Sequence, residues 1–229
     1  MNWNQIVTKV SPYIVKIETP NGSGTGFLCF YNKDKSMCGV ATALHVVGYE
    51  NEWAQPIKII HHSSSHEKLF KESDRVIFAD YKTDSAVIVF FKSDFPFPEI
   101  VLNLLPIEKP INIGNEVGWL GFPSVDPNTL CFFSGIISAR KENRKAYLID
   151  GVAINGVSGG PVIYTSDTKG VQVVGIITEY KANRQRGDAL PGLSIAQDVS
   201  YFHEVIQTVR SVDEAKKESK KLEEQDQKK

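Results

Sequence analysis

The sequence predicts an all-β chain built in two halves, with a short N-terminal helix and a C-terminal helix. Strand-length apolar segments alternate with turn residues from Tyr13 to Ala196. The run Asp94-Phe95-Pro96-Phe97-Pro98-Glu99 breaks that period and reads as the connection between halves. Helical spacing of apolar residues marks the two ends. The expected organisation is a helix and first barrel over residues 1–105, a second barrel over 106–200, and a helix with a charged tail over 201–229.

Ile6, Val7 and Val10 share one face of a helix that Ser11-Pro12 ends. Tyr13 to Thr19 alternates as a first strand, and Pro20-Asn21-Gly22 turns the chain. Gly22-Ser23-Gly24-Thr25-Gly26 then leads into Phe27-Leu28-Cys29-Phe30, where repeated glycine points to a bulge or close backbone packing. The chain returns as Met37 to Val47, an apolar strand with His45 near its end. A turn centred on Lys33-Asp34 would set Cys29 directly opposite Cys38, roughly 5 Å apart at Cβ. In a reducing compartment both are expected as small apolar thiols. Residues 51–75 show no clear period. His62 and His66 have i, i+4 spacing, but the serines between them disfavour a helix and no HExxH pattern is present, so no metal site is expected.

Arg75 to Asp80 and Ser85 to Phe90 read as strands around the turn Tyr81-Lys82-Thr83-Asp84. Asp84 stands where a carboxylate can be buried against an imidazole, with Asp80 as the alternative. Glu116 to Pro123, Thr129 to Ser138 and Ala146 to Asp150 are strands at a spacing that suits a second barrel, and Leu193 to Ala196 is its last strand. Tyr201, Phe202, Val205, Ile206 and Val209 mark the C-terminal helix. Beyond Val212 nearly every residue is Lys, Glu, Asp or Gln, which predicts a fraying tail supported by pairs such as Asp213 with Lys217.

The 229 residues, 41% hydrophobic, suffice for a two-barrel core, and a net charge of -1 lacks the basic bias of a nucleic-acid binder. No apolar run is long enough to span a membrane. Met1-Asn2-Trp3-Asn4-Gln5 lacks the basic and apolar regions of a signal peptide, so a cytoplasmic protein is expected. Three cysteines, an odd number, do not make a secreted disulfide framework.

The segment Asn155-Gly156-Val157-Ser158-Gly159-Gly160-Pro161 carries the chemistry. A serine hydroxyl is a poor nucleophile unless a base takes its proton, so Ser158 needs a histidine and an orienting acid. The N–H groups of Gly156 and Ser158 are placed to converge on an oxyanion. Gly156 to Gly160 also satisfies G-x-S-x-G, the nucleophile elbow of α/β-hydrolases. That motif requires a helix directly after the serine, and here Pro161 to Tyr164, a turn and Val171 to Ile177 read as strand, turn and strand. It also requires its histidine downstream, where only His203 remains.

His45, Asp84 and Ser158 occur in the chain order of chymotrypsin-like proteases. Together with Gly22 to Phe27, Thr42-Ala43-Leu44-His45-Val46-Val47, Thr83-Asp84-Ser85-Ala86-Val87, Leu120-Gly121-Phe122-Pro123, Ser134 to Ser138 and Asn155 to Pro161, the sequence resembles the HtrA-type branch of that superfamily over about residues 5–208. The resemblance implies a chymotrypsin-like double β-barrel, two barrels of six strands each, with the active site between them and no metal or organic cofactor. It implies that Ser158 attacks a peptide carbonyl, that His45 is general base and then acid, that Asp84 orients the ring, and that Gly156 and Ser158 form the oxyanion hole. Thr178-Glu179-Tyr180 would pair with an extended polypeptide substrate. Val152, six residues before Ser158, and the adjacent Ala153 would line the specificity pocket, favouring cleavage after small or medium apolar residues. Glu179 and Asp188 lie within reach of its mouth. Val157 stands where digestive enzymes carry an aspartate that pairs with a new N-terminus, so activation by propeptide removal is not expected. No PDZ-like sequence follows, and any regulation would use another device, such as a protein partner. The competing expectation is a silent pseudoprotease that holds peptides or a partner in the cleft.

Overall fold

The computed structural model describes residues 2–166, 168–185 and 188–226, and for 182–185, 188–191 and 220–226 the backbone alone. Helix α1 (Trp3–Val10) starts at a capping box in which the Asn2 side chain accepts from Gln5 N–H and the Gln5 side chain accepts from Asn2 N–H. It buries Ile6 and Val10, as the spacing predicts. Trp3 reaches the other half of the molecule, its ring tilted against Phe132 with centroids 5.1 Å apart and its indole N–H donating to Glu116 at 2.9 Å.

The first sheet contains β1 (Ile14–Thr19), β2 (Gly22–Tyr31), β3 (Met37–Ala43), β4 (Ile57–His61), β5 (Glu67–Phe70), β6 (Arg75–Asp80) and β7 (Ser85–Phe91), with α2 (Leu44–Glu52) between β3 and β4. Its order is β5-β4-β1-β2-β3-β7-β6, seven strands where the resemblance implies six, and β5 and β6 do not pair. The second sheet contains β8 (Asn103–Leu104), β9 (Glu116–Gly121), β10 (Cys131–Lys141), β11 (Ala146–Asp150), β12 (Pro161–Ser166), β13 (Gly170–Gln185) and β14 (Asp188–Asp198). Pairing of β12 with β13 closes six of them into a barrel, while β8 lies parallel to β13 outside the ring. The chain therefore changes sheets between Phe91 and Asn103, just before the boundary expected at residue 105. Helix α3 (Ser200–Asp226) follows. The result is the expected mainly β double barrel with helices near its ends.

Three local expectations need correction. Residues 57–61 and 67–70 are strands. In β4 the inward positions are Ile57, Ile59 and His61, and a polar residue in the buried register hides the alternation. His61 is 2% exposed, with its ring nitrogens bonded to Ser64 Oγ and the Pro12 carbonyl, each at 2.8 Å. Cys29 and Cys38 are not opposed: a bulge at Cys29 sets Phe30 against Gly39 and Tyr31 against Cys38. The turn is also longer than expected, held by Asn32 and Asp34 bonds to Ser36 and Met37. Both cysteines are buried free thiols. The charged tail, finally, continues as helix to Asp226. Among the described residues no helix is long and apolar enough to cross a membrane, and no group of His, Cys, Asp and Glu is arranged to hold a metal ion.

Candidate active site

His45 lies in the first turn of α2, where β3 gives way to helix, so the strand end expected there is a helix start. Ala43 offers no side-chain cap, and Asp84 supplies one from the β6–β7 turn. The Asp84 carbonyl accepts from Leu44 N–H at 3.0 Å, and its Oδ1 accepts from His45 N–H at 2.9 Å. Its other oxygen, Oδ2, lies 2.6 Å from His45 Nδ1. A carboxylate only accepts, so Nδ1 is the donor of this pair and Nε2 is left outside it. Asp84 holds this position at φ +50°, a left-handed conformation that aspartate tolerates better than most residues. Asp80 is engaged elsewhere, accepting from Lys82 N–H and Thr83 Oγ1 within the turn.

Ser158 sits in the loop between β11 and β12. Gly156 has φ +89° and Gly159 φ +83°, and a Cβ at either would strike backbone: Phe122 O for Gly156, Thr25 O for Gly159. Val157 N–H bonds Ile154 O, Gly159 N–H bonds Ile177 O and Gly160 N–H bonds Val157 O. The N–H groups of Gly156 and Ser158 donate to no acceptor among the described residues. The Asn155 carbonyl is turned away to accept from Ser124 N–H at 2.7 Å.

One residue of the first barrel shapes this loop. Thr25, fully buried, donates through Oγ1 to the Gly156 carbonyl at 2.9 Å, accepts there from Phe122 N–H at 3.0 Å, and gives its own N–H to the Ser158 carbonyl at 2.8 Å. Its carbonyl accepts from Thr42 Oγ1 at 2.7 Å. Sequence reasoning quoted Thr25 within a glycine-rich strand and assigned it no role. The only signal was the unusual need for glycine on both sides, and at Gly24 a Cβ would strike the Val46 side chain.

His45 and Ser158 line one cavity of about 600 Å³, together with Val152, Ala153, Thr178, Glu179 and Tyr180. Of the other residues expected at the site, Asp84 reaches it through the His45 ring and Gly156 lies in the Ser158 loop, while the side chain of Asp188 lies outside the described residues. Val152 is 53% exposed and Ala153 is buried. Ser124 and Val125, from the turn after β9, complete the wall and were not anticipated. Thr178 is a bulge in β13: Ile177 pairs with Ala196 and Glu179 with Ile195. Pairing with β12 stops at Ile176, which leaves one edge of β13 without a strand partner at Thr178 to Tyr180 among the described residues. Tyr180 Oη accepts from Gly192 N–H at 2.6 Å and fixes the hairpin beside it. Among the described residues no hydrogen bond joins the His45 ring to the Ser158 hydroxyl.

Residues 24–176 match the family described as the trypsin-like peptidase domain. The chain belongs to the trypsin-like peptidase domain family. It is a hydrolase of the serine endopeptidase class. Among solved structures, a serine endoprotease from Yersinia pestis shares 20% identity at a TM-score of 0.64, covering 92% of this chain and 67% of its own. An inactive-form serine-to-alanine mutant of Rv3671c from M. tuberculosis H37Rv shares 19% identity at 0.59, covering 91% of this chain and 92% of its own. The Rv3671c protease in its inactive form shares 20% at 0.60, covering 90% and 93%. At these identities the likeness speaks for the fold. Comparison with curated proteins gives no match. His45 of the first barrel and Ser158 of the second line one cavity.

Proposed function

We propose that this trypsin-like peptidase hydrolyses peptide bonds through an acyl-enzyme formed on Ser158, cutting after small or medium apolar residues. What supports the reading is a single juxtaposition: His45, its ring held by Asp84, and Ser158 front the same cavity, beside two backbone N–H groups with no acceptor among the described residues. His45 Nε2 takes the Ser158 proton as Oγ attacks the carbonyl carbon, and Asp84 stabilises the imidazolium that forms. The carbonyl oxygen becomes an oxyanion beside the N–H groups of Gly156 and Ser158. The imidazolium then protonates the leaving amine, the C–N bond breaks, and water repeats the sequence to free Ser158. The apolar preference rests on Val125, Val152, Ala153, Ile154 and Ile177 around the cavity, where an unpaired Lys or Arg would be costly to desolvate. Val157 is buried and apolar, consistent with a loop that needs no newly cut N-terminus.

The missing His45–Ser158 hydrogen bond favours a second reading, a silent module that holds peptides in the cleft. Such bonds are often long in unliganded enzymes, so the active reading stands first. Treatment with a fluorophosphonate probe separates the two. Labelling that is lost in Ser158→Ala, with casein cleaved by the parent only, is the expected result. An unlabelled protein that still binds peptide would establish the silent module.

A further inference from the structure

A second cavity, of about 780 Å³, adjoins the first, and His45, Thr178 and Glu179 line both. Its walls differ in kind. Lys82 and Thr83 come from the β6–β7 turn of the first barrel, and Asn143 and Arg144 from the β10–β11 turn of the second. Two cations, one from each barrel, thus share this space. Both side chains are exposed and neither has an ion-pair partner among the described residues; Lys82 is anchored by its N–H on Asp80, and Arg144 by its carbonyl, which accepts from Gln197. The neighbouring Arg140 and Lys145, by contrast, pair with Asp198 and Glu204. Two carboxylates also face the cavity: both Asp84 oxygens are taken by His45, and Glu179 stands on the ridge shared with the first cavity.

An extended peptide points successive side chains to opposite faces. A substrate laid along the open edge at Thr178 to Tyr180, with one side chain in the Ser158 cavity, turns the preceding side chain toward the other. We propose that this second cavity selects an acidic residue, Asp or Glu, immediately before the residue whose carbonyl Ser158 attacks, with Lys82 and Arg144 as its specificity-determining groups. The inference rests on the proposed catalytic reading and narrows its substrates to sequences of acidic-then-apolar form.

The test uses peptides that carry Glu, Gln or Lys before a common alanine and are otherwise identical. Their kcat/KM is measured for the parent, Lys82→Glu, Arg144→Glu and the double variant, and their binding to Ser158→Ala by fluorescence anisotropy. An exposed ion pair is worth up to about a fivefold effect, so the parent should favour Glu over Gln by about twofold to fivefold. Each single reversal should erase most of that margin, the double reversal should favour Lys, and salt at about 1 M should flatten the parent's preference. Equal rates for Glu and Gln in the parent, or a Glu preference that survives both reversals, would overturn the proposal. Peptides bound with Glu preference yet never cut would uphold this subsite and defeat the catalytic reading. Peptides cut without regard to charge would do the reverse, and peptides neither cut nor bound would defeat both.

Discussion

The Asp84 carboxylate divides its oxygens between two tasks, one capping α2 at His45 N–H and the other holding the ring at Nδ1. Asp84→Asn keeps an acceptor and tolerates the left-handed backbone, but it cannot fix the same ring tautomer. Its kcat for peptide hydrolysis should fall on the order of 10⁴-fold. Urea unfolding should move by no more than about 1 kcal/mol. Thr25 separates packing from chemistry in another way. Thr25→Val keeps the shape and strands a buried Phe122 N–H and the Gly156 carbonyl, a loss of about 2–3 kcal/mol in urea unfolding with a matching loss of fluorophosphonate reactivity. Thr25→Ser should restore both. His45, Asp84 and Ser158 stood out as candidates because each is chemically conspicuous and stands at a break in an apolar segment. Thr25 was not, since a threonine in a strand satisfies β-propensity without any further reason, and its partners lie 97 and 131 residues away.

Among the elements, β4 shows why alternation can be invisible. His61 occupies the inward register and burial lowers its pKa from 6.5, against the opposing pull of the Pro12 carbonyl. His62, set against the Phe122 ring, is likewise lowered by burial. A histidine held neutral in the fold binds its proton more readily when unfolded, so its contribution is complete above pH 6.5 and is lost as pH falls below that value. Thermal unfolding should therefore drop between about pH 7 and pH 5, and the drop should shrink in His61→Gln. Helix α3 reads more openly. Its apolar spacing announced the residues that dock: Phe202 is fully buried, with its ring edge-on to Phe27 at 6.2 Å. Phe202→Ala should cost about 3–5 kcal/mol in urea unfolding. The helix outlasts its apolar face because Glu, Lys and Gln are good helix formers and neither Gly nor Pro interrupts the run. Composition had made that same stretch look like a tail.

At the scale of the molecule, the break at Asp94 to Glu99 and the strand count announced two barrels, while the open first sheet and the early position of β8 depend on pairings that no local pattern encodes. The core of the first barrel also sets thiol chemistry. Burial pushes Cys38 up to about 12 and Cys29 up as well, whereas Cys131 is partly exposed. Ellman's reagent at neutral pH should titrate Cys131 rapidly in the folded protein and release the signal of Cys29 and Cys38 only with global unfolding. The seam between the barrels is bridged by the Thr25 hydrogen bonds. A threonine rooted in one half grips the Ser158 loop of the other, so phosphonate uptake should work as a gauge of how tightly the halves are seated. Hydrostatic pressure or mild denaturant that eases them apart should quench phosphonylation while circular dichroism still registers an intact protein.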